Sequence, residues 1–302
     1  LDIPKDKQVD TLLVNVAECE PYITADHREA LENSWEVLSG IYTVKHLLGI
    51  QRVIIAVEDN KPDVIQVLSQ IAENDTRDPE NQVRVLPLKA RYPQGAEKVL
   101  VQACTGRKVP PGKLPADVGC LVMNVTSIAF LATYLKTGMP LVSKRLTIDG
   151  SAVLHPQNVM APLGTPIREI IDFCGGYREE PKKLLMGGPM MGIALADDSL
   201  PVLKQNNAIL AFGEKEAGLM EPTACIRCGR CVQGCPMHLV PTALEQKALR
   251  KNTQELLKLG VMTCMECGCC VYNCPAGRQL VQAIRMGKAL VKESSAKGQK
   301  GR

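Results

Sequence analysis

A cysteine pattern that occurs twice constrains this chain more than any other feature of its sequence. Both copies read C-x-x-C-x-x-C-x-x-x-C-P, the first from Cys225 to Pro236 and the second from Cys264 to Pro275. Three cysteines in steps of three residues place three thiolates in one tight loop, where they can bind three irons of a cubane cluster. The fourth cysteine points away and binds the other cluster, and the proline ends the loop. The spacing therefore predicts two [4Fe–4S] clusters.

The exchange of the fourth cysteine assigns each predicted ligand to one cluster. One cluster is expected to be bound by Cys225, Cys228, Cys231 and Cys274. The other is expected to be bound by Cys264, Cys267, Cys270 and Cys235. A further cysteine, Cys269, has a side chain that points in a different direction from that of Cys270, and we interpret it as a small buried thiol near the cluster. The sequence shows no internal repeat beyond this pair of motifs.

Two other uses of these cysteines fit the sequence less well. Disulfides are typical of secreted proteins, and nothing else in the sequence indicates secretion. Zinc sites use paired C-x-x-C motifs without a third cysteine in step and without the C-x-x-x-C-P ending. Iron–sulfur pairs of this kind pass single electrons, so the motifs predict electron transfer without identifying donor or acceptor. The other cysteines, interpreted as core residues, are Cys19, Cys104, Cys120 and Cys174.

The first part of the chain, residues 1–138, alternates short apolar runs with amphipathic stretches. The apolar runs are nearly continuous, as expected of strands buried on both faces. They read TLLVNVA, RVIIAVED, QVRVLPL and GCLVMNV. The helical stripes between them comprise Ala30, Leu31, Trp35, Leu38, Tyr42 and Leu48, then Val64, Val67, Leu68 and Ile71, then Val99, Leu100 and Ala103. This alternation predicts an α/β domain with a mostly parallel sheet.

Two further domains are expected after the first. Residues 139–212 are predicted to form a compact α+β module, in which a short helix has Thr165 as its N-cap and ends at Gly175. Residues 213–302 contain the cysteine motifs, and the helical spacing between and after the motifs predicts an α-helical ferredoxin domain. The basic end of the chain, KESSAKGQKGR, is predicted to be a disordered tail, with contact to a partner or an anionic membrane as the alternative.

Composition excludes several classes of protein. The net charge is only +4 and aromatic residues make up 3% of the 302 residues, which argues against nucleic-acid binding. No apolar run reaches the ~18 residues that a membrane-spanning helix needs, and no secretory signal is visible. The sequence begins at Leu1 rather than Met, and we expect a processed or truncated piece.

Polar residues follow the first predicted strand, in the segment NVAECEPYITAD. Asn15, Glu18 and Glu20 would lie at the carboxyl edge of the sheet, where open α/β sheets bind ligands. Carboxylates there can accept hydrogen bonds from ribose or from ring N–H groups. The alternative is a solvated loop in which Thr24 or Asp26 caps a helix.

Two more strand-to-helix junctions share that edge. Gly95, Ala96 and Glu97 open a helix after the third apolar run, and the N–H groups of a helix N-terminus can bind phosphate. Asn124 and Ser127 follow the fourth run, again where a helix begins. The three junctions together predict a cofactor site.

Six segments, followed by the two cysteine motifs, carry a resemblance to a known family across essentially the whole chain. The segments are NVAECEPYITADHR, RYPQGAEK, GRKVPPGKLP, VMNVTS, KRLTIDG and GGPMMG. In this order they resemble the RnfC subunit of Rnf-type ferredoxin:NAD⁺ oxidoreductases. A more distant resemblance is to the NADH-binding flavoprotein subunit of respiratory complex I.

This resemblance implies three modules and a set of cofactor contacts. The modules are a Rossmann-like domain that binds FMN and NADH, a β-grasp SLBB domain, and a helical domain with two [4Fe–4S] clusters. The implied contacts are Asn15, Glu18 and Glu20 in the FMN/NADH pocket, Gly95 and Glu97 near the flavin and nicotinamide, and Asn124 and Ser127 at the FMN ribityl or phosphate. Glu97 and Glu18 are the expected catalytic residues.

The sequence departs from the family pattern in two places. In the family a glycine-rich loop that holds phosphate precedes the first strand, and this sequence begins about where that loop ends. The complex I-like pattern has paired asparagines where this chain has Met123 and Asn124, and an acidic pair where it has Ala96 and Glu97. We therefore expect the details of nucleotide binding to differ.

The resemblance implies an electron-transfer subunit of a membrane-bound, ion-translocating complex. FMN would exchange a hydride with NAD(H), and the clusters would carry single electrons. The expected partners are the other subunits of an Rnf-type complex, with ferredoxin reached through a neighbouring subunit. The expected location is peripheral, at the cytoplasmic face of the bacterial cell membrane. The alternatives are a flavin-dependent corrin (cobalamin) reductase and a non-catalytic electron-relay adaptor.

Overall fold

The protein is described by a computed structural model that covers residues 7–77, 83–218 and 220–300, with side chains as far as residue 296. The chain divides into two compact units, residues 1–217 and residues 218–302. The first unit contains two β-sheets, and the second is helical where it is described. The limits predicted for three domains remain predictions.

A four-stranded parallel sheet forms the first part of unit 1. Its strands are β1 (Thr11–Asn15), β2 (Arg52–Glu58), β3 (Val83–Leu88) and β4 (Cys120–Asn124), in the order β3-β2-β1-β4. Its helices are α1 (Ala25–Glu32), α2 (Ser34–Leu48), α3 (Pro62–Glu73), α4 (Glu97–Thr105) and α5 (Val125–Thr137), with a short 3-10 helix at Pro115–Val118. All pairings are parallel. The prediction of a parallel α/β sheet built on the four apolar runs is confirmed.

Both faces of this sheet are buried, which explains why its strands read as continuous apolar runs. Leu12 and Val14 face a core shared with α1, α2, α3 and α5. Leu13, the residue between them, faces a smaller core that includes Leu100 of α4. Because successive residues of a strand point to opposite faces, both sides of β1 must be apolar.

Five of the six residues of the first predicted helical stripe are buried in the core or packed against it, and Trp35 is the exception. The segment forms two helices interrupted at Asn33, and the side chain of Trp35 is 59% exposed. Trp35 lies in the first turn of α2, just after this interruption. The buried side of α2 consists of Val37, Leu38, Gly40, Ile41 and Val44.

A five-stranded mixed sheet forms the second part of unit 1. Its strands are β5 (Ser143–Asp149), β6 (Gln157–Pro162), β7 (Lys183–Met186), β8 (Ile193–Leu195) and β9 (Ala208–Phe212), in the order β6-β5-β9-β7-β8. Helix α6 (Ile167–Phe173) packs on it, and α7 (Glu214–Ala217) follows β9. This arrangement agrees with the predicted α+β module.

The predicted N-cap of α6 is wrong, and its predicted end is correct. Pro166 occupies the N-cap position, and the carbonyl of Thr165 accepts a hydrogen bond from Val202 N–H at 2.9 Å. Thr165 is therefore part of the extended segment that precedes the helix. Gly175 follows the C-cap Cys174 with a φ of 90°, a conformation that closes a helix and favours glycine.

Unit 2 contains only helices and turns in its described residues, as predicted. The helices are α8 (Arg230–Gln233), α9 (Pro241–Leu249), α10 (Thr253–Lys258), α11 (Cys269–Tyr272) and α12 (Leu280–Lys300), with a short 3-10 helix at Val261–Thr263. Leu244, Leu256, Val261 and Ile284 form the centre of its core. In the part of the chain that the structure describes, no helix is both long and apolar enough to span a bilayer.

The predicted disordered tail is wrong as far as Lys300, because α12 continues through it. Adding residues to an existing helix requires no new nucleation, and Val291, only 3% exposed, anchors the helix just before the tail. Residues 301–302 lie outside the described residues.

Candidate functional site

The two cysteine loops have the same backbone form at a constant offset of 39 positions, as between Cys225 and Cys264. Two residues after the first cysteine, Arg227 and Glu266 both have positive φ, at 58° and 61°. One residue after the second cysteine, Gly229 and Gly268 do so as well. The short helices α8 and α11 then begin at matching positions. The repeated spacing therefore produces a repeated structure.

The left-handed residues direct backbone N–H groups toward sulfur. Arg227 N–H donates to Cys225 Sγ, and Glu266 N–H donates to Cys264 Sγ, each at 3.4 Å. The N–H of Leu239 donates to Cys235 Sγ, also at 3.4 Å. Hydrogen bonds of this kind stabilise thiolate charge and influence the potential of a bound cluster.

Each predicted ligand set lines a cavity of its own. We call the first set site I, with a cavity of about 470 Å³ lined by Cys225, Cys228, Cys231 and Cys274. We call the second set site II, with a smaller cavity of about 20 Å³ lined by Cys235, Cys264, Cys267 and Cys270. The structure thus places the fourth cysteine of each motif with the first three of the other.

The donor set at both sites fits an iron–sulfur cluster. Thiol groups are the metal-binding side chains that line each cavity, without histidine or carboxylate. Soft thiolate ligands favour iron–sulfur clusters, zinc and copper(I). Across the described residues, no group of three or more His, Cys, Asp or Glu side chains is arranged to hold a metal ion. The wide four-thiol cavity of site I suits a polynuclear cluster better than one ion.

The residues that precede the two fourth cysteines lie in close contact with each other. Gly234 precedes Cys235, and its counterpart Asn273 precedes Cys274. A Cβ at Gly234 would lie 2.6 Å from Asn273 Nδ2, which itself donates to the carbonyl of Cys269 at 2.9 Å. The helices after the motifs, α9 and α12, also begin 39 positions apart and pack on each other. The repeat therefore extends beyond the motifs, contrary to the sequence-based interpretation.

The two sites differ in exposure. Cys225 and Cys228 of site I are exposed, whereas Cys267 and Cys270 of site II are buried. Burial, followed by the neighbouring thiols Cys264 and Cys267, raises the pKa of Cys270 to about 12. Metal binding must therefore displace a proton from this thiol.

Cys269 is a buried thiol next to site II, as predicted. Its side chain contacts Cys267 and lines the site II cavity. Burial and these neighbours raise its pKa to about 12. Its counterpart beside site I is Arg230.

The carboxyl edge of the parallel sheet brings the first and second predicted junctions together. Asn15 Nδ2 donates to the carbonyl of Gly95 at 2.9 Å, and Asn15 Oδ1 accepts from Ala17 N–H at 3.1 Å. Any Cβ at Gly95 would overlap the Ala17 carbonyl oxygen, so only glycine allows this approach. Gly95 N–H donates to Cys19 Sγ at 3.4 Å, so Cys19 belongs to this edge. The prediction that Cys19 is a core residue is therefore wrong.

Glu18 caps helix α1. Its carboxylate accepts from Asp26 N–H at 2.8 Å and from His27 N–H at 3.1 Å. Burial, then the nearby Asp26 carboxylate, raises the pKa of Glu18 to about 7, although Lys61 lies 3.9 Å away. The alternative of a helix-capping loop is thus correct, with Thr24 at the N-cap position as one of its two candidates, but the capping hydrogen bonds come from the Glu18 side chain.

Glu20 and Asn124 also have partners within the protein. Glu20 accepts from the N–H groups of Met190 and Met191 at 3.0 and 2.9 Å, which joins the β1 loop to the GGPMMG loop. Asn124 caps α5 by accepting from Thr126 N–H at 2.9 Å. It also donates to Asp26 Oδ2 at 2.6 Å.

Glu97 and Ser127 are the predicted contacts that remain free. Both side chains are exposed near helix N-termini, and neither makes a hydrogen bond or ion pair with the described residues. Partial burial of its carboxyl raises the pKa of Glu97. The edge also contains Asp26, which the sequence suggested only as a helix cap, and Lys61, which sequence reasoning missed. Lys61 follows β2, and the rule that strand ends share an edge could have identified it.

The fold and these sites define a class: an iron–sulfur electron-transfer protein whose first unit resembles flavin- and nucleotide-binding domains. Residues 1–133 match the model of the Nuo51 FMN-binding domain, residues 145–194 the SLBB domain, and residues 218–275 the 4Fe-4S dicluster domain.

Relatives are similar over almost the whole chain. The chain is 43% identical to a subunit of the proton-translocating ferredoxin:NAD(+) oxidoreductase complex of Clostridium ljungdahlii, over 98% of this chain and 63% of that protein. It is 43% identical to a subunit of the Na(+)-translocating ferredoxin:NAD(+) oxidoreductase complex of Acetobacterium woodii, over 99% and 66%. The chain belongs to the RnfC family, as its motifs predicted. It spans about two thirds of the length of these relatives.

A solved structure shows the same fold at low sequence identity. The crystal structure of the NAD⁺-reducing [NiFe]-hydrogenase in the H₂-reduced state matches with a TM-score of 0.64 and 13% identity. The match covers 99% of this chain and 61% of the hydrogenase chain.

Proposed function

We propose that this chain transfers electrons between NAD(H) and a membrane-bound, ion-translocating ferredoxin:NAD⁺ oxidoreductase complex. The observation that carries the proposal is the pair of four-thiol cavities at sites I and II, in a chain that also matches an FMN-binding domain. In finer detail, we interpret the parallel sheet as Rossmann-like, the mixed sheet as β-grasp, and the two sites as [4Fe–4S] sites.

In this proposal FMN, when bound, supplies the conversion between hydride and single-electron transfer. The seven predicted contacts remain the proposed nucleotide site, with Glu97 and Glu18 as its catalytic residues. Glu97 and Ser127 would contact the cofactor directly, since their side chains are exposed and free. Asn15 and Gly95 would keep the β3–α4 loop in place, and Glu18 would fix the start of α1.

The chain's partners and location follow from its family. Relatives are named as parts of multi-subunit complexes, so the other subunits of such a complex are the proposed partners, with ferredoxin reached through one of them. The proposed location is the cytoplasmic face of the bacterial membrane, with attachment through those subunits.

Iron analysis tests the proposal. Anaerobically prepared chain should contain about eight irons, with matching acid-labile sulfide, according to two clusters of four. Dithionite should produce an electron paramagnetic resonance (EPR) signal. About four irons, or zinc in place of iron, would contradict the two-cluster assignment.

Single cysteine substitutions test the exchange of ligands. Cys274→Ser should remove the cluster of site I, and Cys235→Ser that of site II, each leaving the other EPR signal intact. Cys269→Ala is the matched control, because it removes a cavity-lining thiol that is not a proposed ligand. Loss of the site II signal in Cys274→Ser would show that the fourth ligands are not exchanged.

A specific observation favours one alternative, the electron-relay adaptor without bound flavin. Asn15, Glu18, Glu20 and Asn124 all hydrogen-bond within the protein. Flavin fluorescence distinguishes the two functions: added FMN should be quenched by the chain, and Glu97→Gln should weaken this binding. Iron-loaded chain that quenches no FMN would favour the adaptor.

A further inference from the structure

The two cysteine loops carry opposite charges at matching positions. Arg227 lies two residues after the first cysteine of site I, and Glu266 lies two residues after the first cysteine of site II. Both residues have positive φ, and both donate a backbone N–H to the preceding cysteine sulfur. The backbones therefore match, and the side chains are what distinguishes the loops.

Arg227 is the uncompensated cation at site I. Its exposed side chain lines the cavity, and none of the described carboxylates forms an ion pair with it. Arg278, which lies near Cys225 and Cys274, is paired with Glu245 through Nε at 3.0 and 2.9 Å. Its charge is largely balanced by that carboxylate.

Glu266 is compensated at site II. Its carboxylate contacts Lys288 Nζ at 2.6 Å and Arg285 Nε at 2.7 Å. Lys288 also donates to the carbonyl of Cys264 at 2.7 Å. The one carboxylate and the two cations leave a net charge of +1, but none of the three side chains lines the site II cavity, whereas Arg227 lines that of site I.

We propose that Arg227 raises the reduction potential of the cluster at site I, so that site I is the more easily reduced of the two centres. The inference rests on the proposed function, which places clusters at both sites. Reduction adds one electron from an external reductant and breaks no bond, so a nearby cation stabilises the reduced state. Net charge and solvent exposure both set cluster potentials, and site I has the more exposed cysteines.

Redox potentiometry followed by EPR tests this role. Arg227→Gln should lower the midpoint potential of site I. The expected shift is up to about 59 mV, which corresponds to a tenfold change in the equilibrium constant for one-electron reduction. The midpoint of site II should not change. Because Arg227 is exposed, the difference from wild type should shrink in about 1 M salt, where screening acts within about 3 Å. Cys274→Ser identifies which signal belongs to site I.

Two variants serve as controls. Arg227→Lys keeps the charge and should keep the wild-type potential. Arg230→Gln removes the same charge from an exposed side chain three residues away that does not line the cavity, and it should shift the potential little. The two substitutions at position 227 should impose the same backbone strain as the wild-type arginine, because all three side chains have a Cβ on a residue with positive φ.

Three results would overturn the inference: an unchanged midpoint in Arg227→Gln, an equal shift in Arg230→Gln, or a wild-type midpoint at site I below that of site II. A chain without clusters would instead contradict the proposed function. Iron content measured on every variant separates these two failures.

Discussion

Glu18 shows how one side chain at the sheet edge can be both a structural cap and a titratable group. Its two oxygens accept the free N–H groups at the start of α1, which favours the carboxylate form. Its side chain is only 3% exposed and lies beside Asp26, which disfavours that form. Burial dominates, and the pKa rises from 4.5 to about 7.

This shift predicts a pH-dependent stability. Between pH 4.5 and about 7 the folded chain holds the Glu18 proton that the unfolded chain has lost, so the free energy of unfolding falls as pH rises. The contribution over this range is about 3 kcal/mol. Glu18→Gln cannot ionise, so denaturant unfolding at pH 5 and pH 8 should show a smaller decrease.

Glu73→Gln is the control for this experiment. Glu73 is an exposed carboxylate at the end of α3, and its replacement should leave the pH dependence as in wild type. An unchanged slope in Glu18→Gln would show that this carboxyl is already ionised at pH 5.

At the scale of elements, the packing of α2 on α5 depends on a glycine. A Cβ at Gly40 would overlap the carbonyl oxygen of Ile128 in α5. Backbone atoms cannot move aside as a flexible side chain can, so the helices approach this closely only with glycine here. Gly287 of α12 differs, since its Cβ would meet side-chain atoms of Ala248 and Leu256 at 3.2 and 3.3 Å.

The same substitution in the two helices should therefore have different effects. Gly40→Ala should destabilise the first unit by about 1–3 kcal/mol through overpacking. Alanine gains about 1 kcal/mol of helix propensity at either position, so Gly287→Ala should cost less because its new Cβ meets neighbours only at 3.2–3.3 Å, where the Leu256 side chain can shift. Denaturant unfolding measures both, and equal costs would show that the α2–α5 approach is not limiting.

Elements were also where sequence patterns worked best. The four apolar runs became β1 to β4 because strands buried on both faces require uninterrupted hydrophobicity. In the stripe through Trp35 only Trp35 itself failed, because it directly follows a break at Asn33 that the spacing of apolar residues does not reveal. The tail failed because its composition resembles both a disordered segment and the exposed end of a helix.

At the scale of unit 1, charged and polar contacts join α1 to the second sheet. Arg145 of β5 contacts Glu29 at 3.1 Å and Glu32 at 2.7 Å. The side chains of Arg145 and Glu29 are only 12% and 10% exposed. Thr24 adds two links, through its N–H to Thr147 Oγ1 and through its hydroxyl to Asn158.

Removal of this arginine should destabilise unit 1. Arg145→Ala leaves the Glu29 carboxylate buried without its cation, at a cost of about 3 kcal/mol. Lys182→Ala, which breaks an exposed pair with Glu180, should cost less than about 1 kcal/mol. Denaturant unfolding reports the cost, and the iron chromophore of unit 2 should be retained in both variants. Equal costs would show that the buried pair adds nothing to the stability of unit 1.

The sequence by itself determined the cysteine loops, the four parallel strands and the helical character of unit 2, because each depends on spacing between near neighbours. Tertiary structure alone decided that Glu18 caps α1 and that Glu20 and Asn124 hydrogen-bond within the protein. It also decided that Glu266 is in ion pairs whereas Arg227 forms none with the described carboxylates. These depend on groups brought together from distant segments, such as Lys288 and the GGPMMG loop. Local spacing contains no information about which distant charge or N–H will arrive, since burial and packing of the whole unit select it.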